Sequence, residues 1–168
     1  MAFSYYFLAA LAIAALDQVT KLLVVQCIPP YKTVEFLPGV LSLTYVRNDG
    51  AAFSFLRGMQ WLFVLIFILF TLILLYEYFR RPLPLTRWER VLLAAIYGGG
   101  LGNLIDRVRL GYVVDMLHFQ FWPSYPTFNV ADVCIVSGAI LGAIYYVLLY
   151  DKHDRRKTDG ASDPANGQ

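Results

Sequence analysis

Charge is what this chain has least of. Only 15% of its 168 residues are Asp, Glu, Lys or Arg, while 58% are hydrophobic. A soluble domain carries about 25% charged residues, so an ordinary water-soluble globule is excluded. The net charge is +2 and the basic residues are grouped rather than spread along one face, which speaks against nucleic acid as a partner. There are two cysteines, Cys27 and Cys134, without CxxC or Cys/His spacing, so no zinc site is expected. Each lies in or at the end of an apolar run and reads as a small buried hydrophobe. His118 and His153 are the only histidines, too few for a His-rich metal site. The chain has no GxSxG, no Gly-rich phosphate loop after a strand and no repeat period.

What is present is four long apolar runs. They cover about Phe3–Ile28 (broken by Asp17 and Lys21), Gly58–Tyr76, about Trp88–Ile105, and Val133–Tyr150. A membrane helix needs about 20 largely apolar residues, so the pattern predicts an all-α membrane protein with four transmembrane helices. The first run has no basic n-region and continues past Asp17 and Lys21, so it reads as a retained helix and not a cleaved signal peptide. Residues 1–150 form the membrane unit. The polar tail, 151–168, has too few apolar residues to offset its ordering entropy and is expected to be disordered.

Orientation follows from Lys and Arg in the short connections. Arg80, Arg81, Arg87 and Arg90 lie between spans two and three, and Lys152, Arg155, Arg156 and Lys157 follow span four. That side is expected to be cytoplasmic, together with both termini. The two longer connections then face outward. In the first, Thr33–Phe36 and Val40–Val46 are rich in β-forming residues and separated by Pro38-Gly39, which predicts a small extracytoplasmic β-rich region. Asn48-Asp49-Gly50 marks a turn. Ala51–Leu56 reads as a short interfacial helix. The pairs Gly98/Gly102 and Gly138/Gly142 predict close helix packing.

The acids are the costly residues. At a helix centre a carboxylate costs roughly 2.5–3.5 kcal/mol on insertion scales. Asp17 and Lys21, four apart, share a helix face and can form an ion pair. Asn103, Asp106 and Arg107 cluster at the outer end of span three, where Asp106 is expected to hold Arg107 or the backbone of the next loop. Asp115 stands in Tyr112-Val113-Val114-Asp115-Met116-Leu117, an apolar setting that favours the neutral carboxyl. Asp132 opens span four, three residues after Asn129, as in a helix cap with an acid at the third position. Sixteen residues separate Asp115 from Asp132, with Pro123 and Pro126 among them to turn the chain back. Together the two carboxyls suit paired acid/base catalysis. Asp17, Asp106 and Asp132 also fit the relay of a proton-coupled carrier, and the acids equally fit plain helix caps and Arg partners. A cation bound by Asp106, Asp115, His118 and Asp132 would match no standard loop.

Four blocks, in order, carry a resemblance: Asp17-Gln18-Val19-Thr20-Lys21; Arg47-Asn48-Asp49-Gly50-Ala51-Ala52-Phe53; Gly102-Asn103-Leu104-Ile105-Asp106-Arg107 with Val113-Val114-Asp115; and Phe128-Asn129-Val130-Ala131-Asp132. With them the chain resembles the bacterial lipoprotein signal peptidase (signal peptidase II) family over all but its tail. Met116 departs from it, since the family usually has Phe there. The resemblance implies an intramembrane aspartyl endopeptidase of the bacterial inner membrane with no metal or organic cofactor. Its substrate would be a diacylglyceryl-modified prolipoprotein, cut just before the lipidated cysteine at the outer membrane face, among membrane lipid. It implies Asp115 and Asp132 as the catalytic pair. Asn48, Asn103, Asp106, Arg107 and Asn129 would line or brace the site, with Asp17 and Lys21 as supports.

Overall fold

The computed structural model describes residues 2–50, 56–80 and 85–150. Most of the expected short helix at 51–56, as well as Arg81 and the polar tail, lies outside the described residues. The helices are α1 (Ala2–Cys27), α2 (Gln60–Arg80), α3 (Arg87–Leu110) and α4 (Val130–Tyr145), the last continued by a wider helical turn at Tyr146–Tyr150. Among the described residues four helices are long and apolar enough to cross a membrane. Pro29-Pro30 stops α1, because proline cannot continue the ladder and disfavours helix at the residue before it. Thr86 and Glu89 form a capping box that starts α3. Gly111, at φ 77°, ends it in the left-handed conformation, its N–H donating to the Arg107 carbonyl at 3.1 Å.

α3 is the hub, packed against α1, α4 and α2. Between helices in lipid there is little hydrophobic driving force, so close van der Waals contact has to hold them together. The glycines provide that contact. A Cβ on Gly98 would sit 2.6 Å from the Ala10 carbonyl oxygen, and one on Gly99 would sit 2.5 Å from that of Ala131. The expected pair Gly98/Gly102 thus faces α1. Gly138 presses on Ile96 of α3, while Gly142 is looser. None of the residues of α2 is fully buried.

A three-stranded antiparallel sheet stands at the end of the bundle where α1 and α3 finish and α2 and α4 begin. Its strands are β1 (Thr33–Leu37), β2 (Leu41–Asn48) and β3 (Val113–Phe119), in that order. The hairpin is the one expected from the first connection. The sheet is not confined to that connection, however, because β3 comes from the segment between α3 and α4. Val113-Val114, just past the left-handed Gly111, are β-branched and extended, and they pair with Asn48 and Arg47. A further correction concerns the third span, which does not end at Ile105. The helix runs on through Asp106, Arg107 and Arg109, and the first two find partners described below. Val24 of α1 and Ile28, just past its end, pack against Tyr45, Val114 and Met116 of the sheet, forming a small core. Met116 fills the place where a Phe was expected and is 2% exposed. Cys27, expected to be buried, is exposed, and Cys134 is half-buried.

Candidate active site

The site lies where the sheet meets the ends of α1 and α3 and the start of α4. Strand alternation sends Val114 and Met116 into the core against α1 and leaves Asp115 on the opposite face. Asp115 is buried all the same, at 2% exposure. The chain returns to it through Phe128. Leu117 and Phe128 form an antiparallel bridge with both backbone hydrogen bonds made, at 2.7 and 3.0 Å. Phe119, Tyr125 and Phe128 stack with centroids 4.9–5.8 Å apart and fold the intervening loop. The next residue, Asn129, caps α4. Its Oδ1 accepts the Asp132 N–H at 2.9 Å, and Asp132 Oδ2 accepts the Asn129 N–H at 3.2 Å.

Asn129 also links the two acids. Its Nδ2 donates to Asp115 Oδ1 at 2.7 Å and to Asn103 Oδ1 at 3.1 Å. Asn103 Nδ2 donates to Asp132 Oδ1 at 2.8 Å. Asn48 Nδ2, from the end of β2, donates to Asp115 Oδ2 at 2.8 Å. Each carboxyl group therefore receives two N–H donors, three of the four coming from asparagine side chains. Burial, and then the charge of Asp132, push the Asp115 carboxyl up from 3.8 to about 7.

The supporting residues form a second cluster. Lys21 Nζ lies 2.8 Å from Asp17 Oδ2, 3.0 Å from Asp106 Oδ2 and 2.9 Å from Asn103 Oδ1. The expected Asp17–Lys21 pair is present, but Asp17 does more than neutralise Lys21, since its other oxygen accepts the Ala131 N–H of α4. Asp106 does not hold Arg107. Adjacent helix residues point in different directions, so Asp106 turns toward α1, where it meets Lys21 and accepts from Gln18 Nε2 at 2.8 Å. It does hold the following segment, accepting the Val114 N–H at 3.0 Å. Arg107 turns the other way. It donates to the carbonyls of Asn103 and Gly50 at 3.2 and 3.3 Å, with its guanidinium 4.6 Å from the centre of the Phe63 ring. It thereby fixes the Asn48–Gly50 turn. Gln18 and Gly102 went unread as site residues. Both stand inside the quoted sequence blocks, but their role depends on contacts between α1 and α3 that no local pattern reveals.

A family model described as signal peptidase II matches residues 9–148. The chain belongs to the signal peptidase II family. It is a peptidase of that family, with relatives along most of its length. It is 44% identical over 143 residues to the lipoprotein signal peptidase of Enterococcus faecalis, covering 85% of this chain and 88% of that one. It is 48% identical over 126 residues to that of Streptococcus agalactiae, covering 75% and 80%. Two solved bacterial membrane enzymes, determined by the in meso method, share the fold. One, at 2.3 Å resolution, has a TM-score of 0.78 and 29% identity over 98% of this chain and 95% of that one. The other, at 1.9 Å, has a TM-score of 0.75 and 31% identity over 87% and 94%. Four membrane-capable helices and these neighbours make the chain a multi-pass bacterial membrane protein.

Proposed function

We propose that this chain is an aspartic endopeptidase that removes the signal peptide from diacylglyceryl-modified prolipoproteins, cutting just before the lipidated cysteine, with Asp115 and Asp132 as the catalytic pair. The observation that carries the reading is the Asn129 side chain, which joins two acids from different elements while both receive amide donors. The substrate class is that in the names of the curated relatives, lipoprotein signal peptidases. Asn48, Asn103 and Asn129 orient the pair. Asp106 and Arg107 brace β3 and the turn after β2, and Asp17 and Lys21 support the helix ends.

Asp132, with the α4 N-terminus behind it, takes a proton from the attacking water. Protonated Asp115 gives its proton to the scissile carbonyl oxygen, and a tetrahedral diol forms. Asp132 then passes its proton to the amide nitrogen as the C–N bond breaks, and Asp115 takes back a proton from the diol. The products are the carboxyl end of the signal peptide and the free amine of the lipidated cysteine. Acid/base transfer of this kind contributes roughly 10²–10⁴-fold. No metal or organic cofactor has a part in these steps.

The site faces the extracytoplasmic side of the inner membrane, with both termini cytoplasmic. Arg80, Arg81, Arg87 and Arg90 between α2 and α3 support this sidedness. Residues 1–150 are the membrane peptidase unit, and the polar segment 151–168 lies on the cytoplasmic side. A substrate whose signal helix lies in the bilayer, among membrane lipid, reaches such a site sideways.

The test is substitution of each acid. Asp115→Asn and Asp132→Asn each abolish cleavage of a lipid-modified precursor while the protein accumulates in membranes at the parent level. Normal turnover by either variant sinks the pair. Equal cleavage of precursor lacking the diacylglyceryl group counts against the substrate.

A further inference from the structure

The three asparagines around the acid pair each present a nitrogen to a carboxyl oxygen, and this orientation is fixed independently of the carboxyl's charge when the amide's own oxygen is held on the other side. A primary amide has a donor end and an acceptor end of nearly equal shape, and the hydrogen-bond network decides between them. For Asn48 the oxygen is held by the Gly50 backbone N–H at 2.9 Å. For Asn129 it is held by the Asp132 backbone N–H at 2.9 Å. For Asn103 no backbone donor does this. Its Oδ1 meets the Lys21 ammonium at 2.9 Å and the Asn129 amide at 3.1 Å.

We infer that Lys21 is a positioning residue that locks the Asn103 side chain with its nitrogen toward Asp132 throughout the reaction; this rests on the proposed acid pair. While Asp132 is ionised, the carboxylate itself attracts the Asn103 nitrogen. Once Asp132 has taken the proton from water, that attraction is lost. A free Asn103 could then rotate and accept the new proton, holding it away from the leaving amine. Rotation would turn the Asn103 nitrogen onto the Lys21 ammonium, setting donor against donor at 2.9 Å in a site where Lys21 is 2% exposed. The ammonium has no freedom to make way, because its other contacts are Asp17 and Asp106. The proton on Asp132 is therefore kept off the edge that faces Asn103 and stays available to the substrate.

A double-mutant cycle on the full-length chain tests this, with turnover normalised to folded protein. Lys21→Met and Asn103→Leu each lower kcat roughly 10–150-fold, the value of a hydrogen bond to a charged group, with KM changed less than about threefold. The double variant is faster than the product of the two losses predicts, because part of the Lys21 effect passes through Asn103. Multiplying losses, or a rise in KM with kcat intact, overturn the lock. Lys21→Met leaves Asp17 and Asp106 without their countercharge and can fail to fold, so a second measurement uses the unmodified chain with nitrogen-labelled asparagine. The Asn103 side-chain N–H keeps its cross-relaxation contact with the Asp132 Hβ protons when pH is lowered until the pair is fully protonated. Loss of that contact, with the N–H turned toward Lys21, overturns the lock. If Asp115→Asn and Asp132→Asn are inactive while the cycle is multiplicative, only the lock fails. If either of those variants turns over normally, the acid pair itself fails.

Discussion

Oδ1 of Asp17, in the middle of α1, accepts the backbone N–H of Ala131, in the first turn of α4, at 2.9 Å. A helix start has backbone N–H groups with no partner inside the helix, and here another helix supplies one. The same carboxylate pairs with Lys21. Asp17→Ala removes both contacts. Breaking a buried ion pair costs about 3–5 kcal/mol, and Asp106 remains beside Lys21 to soften the loss. The variant is expected to unfold about 3 kcal/mol more easily and to turn over substrate more slowly, since Asp132 rides on the loosened turn. Thermal unfolding in detergent together with a cleavage assay checks it, and an unchanged midpoint contradicts the capping role.

Gly102 is where that carboxylate finds room. A Cβ there would stand 2.6 Å from Asp17 Oδ2. Gly102→Ala is expected to displace Asp17 from Ala131 and Lys21 together, with an overpacking cost of about 1–3 kcal/mol. Gly99→Ala meets the Ala131 carbonyl oxygen, which is backbone and cannot swing aside. Both variants lower activity and the unfolding midpoint. Gly142→Ala, with its nearest neighbour at 4.0 Å, changes neither.

Catalysis by the proposed pair needs one shared proton. With Asp115 raised to about 7, that proton is lost above neutrality, so kcat/KM falls about tenfold per pH unit beyond about 7. The same shift sets a stability trend. The neutral carboxyl is favoured by the fold, so its contribution is complete below the ordinary value of 3.8 and is lost as pH rises through about 7. The parent therefore loses thermal stability between about pH 4 and pH 7, and Asp115→Asn loses less. Parallel melting curves for parent and variant across this range check the sign.

Asp49 is a contrast. Its ion pair with Arg57 is exposed, the two side chains being 45% and 68% accessible, and such pairs are worth about 0–1 kcal/mol. Asp49→Asn is expected to keep turnover within about twofold and stability within about 0.5 kcal/mol. A large loss of cleavage would give this aspartate a role in the site.

Local patterns in the sequence carried much of this architecture. Four apolar runs, the hairpin around Pro38-Gly39 and the cap at Asn129 each depend on neighbouring residues, and each was readable. β3 was not, because Asp115 interrupts its apolar alternation and its partner, β2, is 67 residues away at the Asn48–Asp115 contact. The end of α3 was misplaced for a related reason. Asp106 closed the apolar run in the sequence because its partners, Gln18 and Lys21, are supplied by α1. Gly111 was the available signal, a left-handed cap one residue beyond the true end. The residues of the candidate site were legible as a set, whereas the direction in which each one points was not. Asp106 and Arg107 are adjacent in sequence and serve opposite sides of the site.

α2 has no fully buried residue, and its contacts with protein lie on one stripe. Phe63 lies under Arg107, Phe67 fills the space beside Gly100, and Thr71 reaches Tyr97 at 3.4 Å. The remainder of its surface is exposed and apolar, and a bilayer around it would distinguish apolar from polar but hardly one aliphatic side chain from another. Leu65, Ile66, Leu69, Leu72 and Ile73 are thus held to a solvent preference and not to a shape. A library that shuffles leucine, isoleucine and valine among these five positions would return mostly working enzyme, whereas the same shuffle carried into 63, 67 and 71 would not.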